Sequence, residues 1–219
     1  MRAPESVIVV ETPSGPGHIV LAVPNRGRGG GSVPRAVVVL GHGASGAWET
    51  ADLVEMRDAL VAAGCLVART IQPYAVAGRR VPAPVAQLDA AFTALVAAAR
   101  AEAPRGLPLV VGGRSNGARV AARTALGLGA VGLVVLSFPL SPPGRPGISR
   151  AGELAGAGVP TLVLQGDRDG FGTPADVAAA VPGAELHTIT GAGHSPRRGS
   201  TLTAAAEAAT KWILRHVGD

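Results

Sequence analysis

Two patterns of hydrophobic and polar positions divide the chain. Ser6 to Glu11 and His18 to Val23 are short β-rich runs, and Thr12-Pro13-Ser14-Gly15-Pro16-Gly17 between them is turn chemistry, so the N-terminal part predicts an antiparallel hairpin. Asn25 to Ser32 is a Gly/Arg segment with nothing to fold around and reads as loop. From Ala36 onward, short strand-like runs alternate with segments of helical period. The strands are expected at Ala36 to Leu40, Cys65 to Thr70, Leu109 to Gly112, Val131 to Ser137, Thr161 to Gln165 and Glu185 to Ile189. The helices are expected at Thr50 to Ala63, Ala83 to Ala103, Asn116 to Leu126, Pro174 to Val181 and Ser200 to Val217. Apolar strands separated by helices imply a parallel sheet covered on both faces. The fold class is therefore α/β: a doubly wound, mostly parallel sheet of about eight strands with helices on both faces. No internal repeat or linker interrupts the pattern, so residues 1–219 are expected to form a single domain. Ligands of such sheets sit outside the carboxyl ends of the strands, which directs attention to the residues after Leu40, Gly112, Ser137, Gln165 and Ile189.

Composition narrows the function classes. A chain of 219 residues with 47% hydrophobic content is neither disordered nor obviously multidomain. Its 31 glycines and 18 prolines follow no period, which excludes collagen. The one cysteine, Cys65, excludes an intramolecular disulfide framework and a four-cysteine zinc site, and its place at the start of a buried strand marks it as core. The formal charge is +5, and Lys211 is the only lysine among 20 basic residues. The arginines are scattered, without a run of five like charges, and aromatic residues number six, so nucleic acid is not an expected partner. The start of the chain lacks the apolar run of a signal peptide, and no stretch approaches the ~20 apolar residues that span a bilayer. A cytoplasmic chain with no membrane contact is the expectation, and neither metal nor cofactor is implied.

Four strand ends carry candidate chemistry. Gly113-Arg114-Ser115-Asn116-Gly117 is a G-x-S-x-G pentapeptide between an expected strand and an expected helix. A serine in so sharp a turn has a strained backbone and an exposed hydroxyl, and it tolerates only small neighbours two positions away. A serine nucleophile needs a base, and the base needs an acid to orient it. Among five histidines, His18, His187 and His216 fall in a hairpin, in a strand and near the chain end. His194 follows the last strand in Gly191-Ala192-Gly193-His194-Ser195, where a general base would reach the sheet's carboxyl edge. For the acid, Gly166-Asp167-Arg168-Asp169 follows the strand ending at Gln165. Asp169 is preferred because it lies past the turn, whereas Asp167 is better placed to cap it. The order Ser115, Asp169, His194 is the one expected of an α/β-hydrolase. Gly41-His42-Gly43-Ala44-Ser45-Gly46 follows the strand ending at Leu40, and the amides of Ala44 and Asn116 are the expected oxyanion donors. His42 suits a supporting role in that loop better than the role of base. Each element also has a plainer reading, as a simple βα turn, a surface-loop histidine or loop-stabilising aspartates.

With these residues in place, the chain resembles the α/β-hydrolase family, and most closely its compact branch near the dienelactone hydrolases. The matching stretches are Gly41-His42-Gly43-Ala44, Gly78-Arg79-Arg80-Val81-Pro82, Gly112-Gly113-Arg114-Ser115-Asn116-Gly117, Phe138-Pro139-Leu140, Leu164-Gln165-Gly166-Asp167-Arg168-Asp169 and Gly191-Ala192-Gly193-His194. The resemblance implies Ser115 as nucleophile, Asp169 as acid, His194 as base and the amides of Ala44 and Asn116 as oxyanion donors. Dienelactone hydrolases use a cysteine nucleophile, so the serine here separates the chain from that particular substrate.

Lids of the family are usually inserted between the strands ending here at Ser137 and Gln165. Phe138 to Pro160 is too short for a lid domain, so an open, small pocket for a small-molecule acyl substrate is expected. Trp48, Tyr74, Phe138, Leu140 and Phe171 are candidates for its walls, and each could equally be core. Arg79, Arg80, Arg114 and Arg197 could favour an acidic substrate, with solvated arginines or ion pairs as the plainer alternative. Two other functions fit parts of the chain. Some members of the compact branch serve as non-catalytic parts of larger assemblies. Gly41-x-Gly43-x-x-Gly46 also satisfies a dinucleotide fingerprint, although the next strand offers Arg69 where an acidic residue is wanted.

Overall fold

The computed structural model describes residues 4–24, 33–142, 144–145 and 147–218. The loop expected at residues 25–32 lies outside them. Strands β1 (Glu5–Thr12) and β2 (Gly15–Ala22) form the hairpin. Its turn is tighter than expected: Gly15 adopts φ 97°, Thr12 pairs with it directly, and Pro16 and Gly17 join the strand. Glycine takes that left-handed conformation without strain, so the strands can close over Pro13 and Ser14. The chain continues through β3 (Val37–Gly41), α1 (Ala51–Ala62), β4 (Leu66–Ile71), α2 (Pro73–Val76), α3 (Val85–Ala101), β5 (Leu109–Arg114) and α4 (Asn116–Thr124). It ends with β6 (Gly132–Leu136), α5 (Ala151–Ala155), β7 (Thr161–Gly166), α6 (Pro174–Ala180), β8 (Glu185–Ile189) and α7 (Ser200–Val217). The short helices α2 and α5 are additions to the sequence-based expectation.

All eight strands form one sheet in the order β1-β2-β4-β3-β5-β6-β7-β8. The pairings of β1 with β2 and of β2 with β4 are antiparallel, and every later pairing is parallel. The order doubles back at β3, so helices fall on both faces. Leu53, Met56 and Leu60 of α1 pack with Leu202, Ala206, Trp212 and Ile213 of α7 over Val38, Leu40, Val110 and Val134. On the opposite face, Leu88, Phe92 and Leu95 of α3, Ala118 and Ala121 of α4, and Val177 of α6 cover Val37, Val39, Val111 and Val135. Every residue of β3, β5, β6 and β7 is buried, which is why those runs show no polar alternation. Cys65 is sealed in the core, and burial pushes its thiol up to about 11, which suits packing rather than nucleophilic chemistry. Among the described residues, no helix is long and apolar enough to cross a membrane.

A long-range ion cluster lies at the start of β1. Glu5 accepts hydrogen bonds from both Arg57 of α1 and Arg69 of β4, and both guanidinium groups are almost fully buried. The Trp48 ring covers Arg69, with the guanidinium carbon 4.7 Å from the ring centroid. Burial holds the Arg69 pKa below its ordinary value, with Glu5 opposing that shift.

Candidate active site

Ser115 joins β5 to α4 with φ 51° and ψ −115°, a conformation that costs a non-glycine residue roughly 1–3 kcal/mol unless its surroundings enforce it. Two sets of contacts enforce it. The Ser115 N–H donates to Leu136 O of β6 at 3.0 Å, and Arg119 N–H donates to Ser115 O at 3.2 Å. Around the turn the backbone packs without side chains: a Cβ on Gly117 would lie 2.5 Å from the carbonyl of Gly41. The G-x-S-x-G pattern is thus a demand of packing between β3 and the start of α4.

The hydroxyl of Ser115 lies 2.8 Å from His194 Nε2. On the other side of the ring, His194 Nδ1 lies 2.9 Å from Asp169 Oδ2 and 3.1 Å from Oδ1. Asp169 also accepts from Phe171 N–H at 2.9 Å and from Gln165 Nε2 at 3.1 Å. A carboxylate surrounded by donors places the imidazole proton on Nδ1 and leaves Nε2 free to accept from the serine. The Asp169 side chain is fully buried while that of His194 is 21% exposed, so the acid is sealed and the base is partly open to solvent. Asp167 points elsewhere and accepts from Gly191 N–H at 2.8 Å. The structure therefore brings Ser115, His194 and Asp169 together and leaves Asp167 bracing the loop.

Sequence reasoning missed Gln165, which is fully buried at the end of β7. It donates to Asp169 Oδ2, Gly172 O and Phe138 O and accepts from Phe138 N–H. The readable signal was a polar residue closing an otherwise apolar strand.

The loop after β3 is held from beneath. His42 Nε2 accepts from Gln72 N–H at 3.0 Å, which puts the other proton on Nδ1, 2.7 Å from Gly43 O. The Tyr74 hydroxyl donates to Ala44 O at 3.0 Å, with Gly43 O at 3.3 Å, and burial pushes its phenol up to about 12. With its carbonyls occupied on that side, the loop keeps an amide free: among the described residues, neither Ala44 N–H nor Asn116 N–H donates to a protein acceptor.

Burial holds the His42 pKa below its ordinary 6.5. The unfolded chain therefore takes up the His42 proton first as the pH falls. This group's contribution to stability is complete above pH 6.5 and is lost below it, toward the lowered folded-state value. Thermal melts between about pH 8 and pH 5 should show that loss, with a flatter profile for His42→Gln. Parallel profiles for the two proteins would contradict it.

The expected pocket residues part company. Phe171 stands beside the serine–histidine pair, its ring centroid 4.2 Å from that of His194, and shares with Leu140 the wall of a cavity of about 610 Å³. Tyr74 lines a separate cavity of about 470 Å³ with Gln72 and Arg79, and its hydroxyl serves the Ala44 loop. Phe138 is fully buried in the core, its backbone clasped by Gln165. Trp48 spends its ring on Arg69. Arg79, Arg80 and Arg197 are exposed, whereas Arg114 is buried in an ion pair with Asp52. The dinucleotide alternative loses its footing, because Arg69 is committed to Glu5 and α1 begins ten residues after Gly41 instead of opening at the glycine loop.

A family model described as an alpha/beta hydrolase domain matches residues 34–217. No curated protein matches the sequence. Among solved structures, a lidless α/β serine hydrolase from Xanthomonas campestris is 18% identical with a TM-score of 0.72, covering 99% of this chain and 95% of its own. A dienelactone hydrolase from Anabaena variabilis is 18% identical with a TM-score of 0.73, covering 99% of each chain. Est1E from Butyrivibrio proteoclasticus is 15% identical with a TM-score of 0.74, covering 96% of this chain and 98% of its own. At these identities the likeness is one of fold.

Proposed function

The chain belongs to the α/β hydrolase domain family, and from that premise we propose that it is a single-domain, lidless serine hydrolase cleaving small ester-type acyl substrates. The observation that carries this reading is the unbroken hydrogen-bond chain Ser115–His194–Asp169 at a strained strand-to-helix turn, flanked by two amides without protein acceptors. Ser115 Oγ attacks the acyl carbonyl as His194 Nε2 takes its proton, and the tetrahedral oxyanion rests on the Ala44 and Asn116 amides. The imidazolium is stabilised by Asp169 and returns the proton to the departing alcohol or thiol, leaving Ser115 acylated. Water then attacks the acyl-enzyme with His194 as base, releasing the acid and restoring Ser115.

Esters and thioesters are favoured as substrates. Est1E, one of the structural neighbours, has been crystallised with ferulic acid bound, and others are named as esterases. Phe171, whose ring lies against that of His194, offers an apolar surface for the acyl or alcohol group.

A fluorophosphonate probe tests the reading directly. Labelling should fall on Ser115, disappear in Ser115→Ala and slow by at least ~10³-fold in His194→Ala. Failure to label Ser115, or labelling indifferent to His194, overturns it. A non-catalytic module would also show no turnover above Ser115→Ala across a broad ester panel.

A further inference from the structure

We propose that Arg114, the residue between the turn glycine and the nucleophile, is a positioning residue that sets His194 against Ser115. The inference rests on the hydrolytic reading above. Arg114 closes β5 and is only 7% exposed, yet its guanidinium reaches three separate parts of the site. Its Nε donates to Oδ2 of Asp52, a residue in the first turn of α1 that is 1% exposed, at 2.8 Å. Its Nη2 donates to the backbone carbonyl of His194 at 2.8 Å and to Ser195 Oγ at 3.1 Å. Its Nη1 lies under the Ala44 loop, where a Cβ on Gly43 would come within 2.9 Å of it. One rigid, planar group thus touches the loop of the base and the loop of the expected oxyanion donor, and it is bonded in sequence to the nucleophile.

The loop of the base needs such a tether. Gly191-Ala192-Gly193 offers only the Ala192 methyl for packing against the core, and its own backbone fastenings lie before the histidine, at Arg168 N–H to Ala192 O and Gly191 N–H to Asp167. Arg114 holds the loop at and after the histidine. Asp52 fixes the guanidinium plane through Nε and is itself fastened by Leu53 N–H at 2.9 Å. Lysine could not reproduce the arrangement, because one ammonium cannot present donors along two edges of a plane. The bare position at Gly43 is accounted for as well, since the guanidinium occupies the space of its Cβ.

The test compares the wild type with Asp52→Asn/Arg114→Met, which removes both buried charges together, and with Arg114→Lys. Turnover of p-nitrophenyl acetate and the rate of fluorophosphonate labelling are measured alongside the far-downfield proton resonance of His194 Nδ1–H. The double variant should lose roughly 30-fold in kcat with KM within about twofold, since misplacing a catalytic group by an ångström costs up to about 100-fold. Labelling should slow in parallel, and the Nδ1 resonance should broaden or vanish. Arg114→Lys should fall between the two proteins. A folded double variant with wild-type kcat and an intact resonance overturns the proposal. If that variant does not fold, Arg114→Lys decides: reduced kcat at unchanged KM supports the tether, and wild-type kcat refutes it. Should wild-type Ser115 resist labelling, the hydrolytic reading fails by itself, while the His194 resonance still reports whether Arg114 holds the ring.

Discussion

Asp169→Asn should lower kcat/KM for a small ester by roughly 10³- to 10⁴-fold while leaving the far-ultraviolet circular dichroism unchanged. The reason lies in the donors around the carboxylate. Phe171 N–H and Gln165 Nε2 each claim one of its oxygens, and His194 Nδ1–H sits across both. An asparagine must turn its NH₂ toward one of those donors or toward the ring. The ring is the partner able to adapt, by moving its proton from Nδ1 to Nε2. Nε2 then donates to Ser115 and no longer accepts its proton. Asp167→Asn is the matched control, because Asp167 accepts one exposed bond from Gly191 N–H and an asparagine oxygen can replace it. Its activity should stay within about twofold of wild type. Asp169→Asn retaining more than a tenth of wild-type activity, or Asp167→Asn falling equally far, would remove Asp169 from its assigned role.

Gly117→Ala should be severely damaging for a single methyl group. The new Cβ would lie 2.5 Å from Gly41 C and O and 2.6 Å from His42 O, all of them backbone atoms of β3 and the loop that follows. None can rotate aside, so α4 must separate from the sheet. Overpacking of this kind costs about 3 kcal/mol or more, which for a domain of this size lowers the Tm by roughly 6–12 °C. Gly152→Ala in α5 provides the contrast: nothing lies within 4 Å of its added Cβ, and alanine is the better helix former. Its Tm should equal or exceed that of the wild type. Differential scanning calorimetry of the pair decides the matter, and a Gly117→Ala melt within a degree or two of wild type would show that the approach of α4 to β3 is not tight.

The parts of the fold legible in the sequence were those written in local patterns. β3, β5, β6 and β7 are apolar on both faces, and α7 carries an apolar stripe over eighteen residues, so their types could be read directly. The helices α2 and α5 span four and five residues, too few to display a period. The candidate site divides in the same way. Ser115, Asp169 and His194 stand in turns whose glycine spacing is local, and the structure brings the three together. Their supports are long-range pairs: Asp52 with Arg114 is separated by 62 positions, and Glu5 with Arg69 by 64. Nothing near Arg69 announces that its charge is answered from the first strand, so in sequence it stood only as the wrong residue for a dinucleotide fingerprint. Whether Phe138 and Trp48 line a pocket or the core stayed open in the sequence for a related reason, since a large side chain beside a cleft and one behind it look alike there. Full burial marks Phe138 as core, and the Trp48 ring lies over Arg69.

The base follows an edge strand of the sheet. β8 is paired on one side only, to β7, and all of its residues but Ile189 are at least partly exposed. Edges of this kind open at lower free energy than the rest of a domain. Opening of β8 would load the fastenings that Arg114, Arg168 and Asp167 give the His194 loop, and where those fastenings yield the base would leave Ser115, which is seated between β5 and α4. Under the proposed chemistry, working enzyme and folded protein are then separate populations, and a warm solution can be fully folded by spectroscopy yet only partly competent. Thermal tolerance of activity would be governed by a five-residue margin of the sheet, and strengthening that margin would extend the working range without altering the bulk of the molecule.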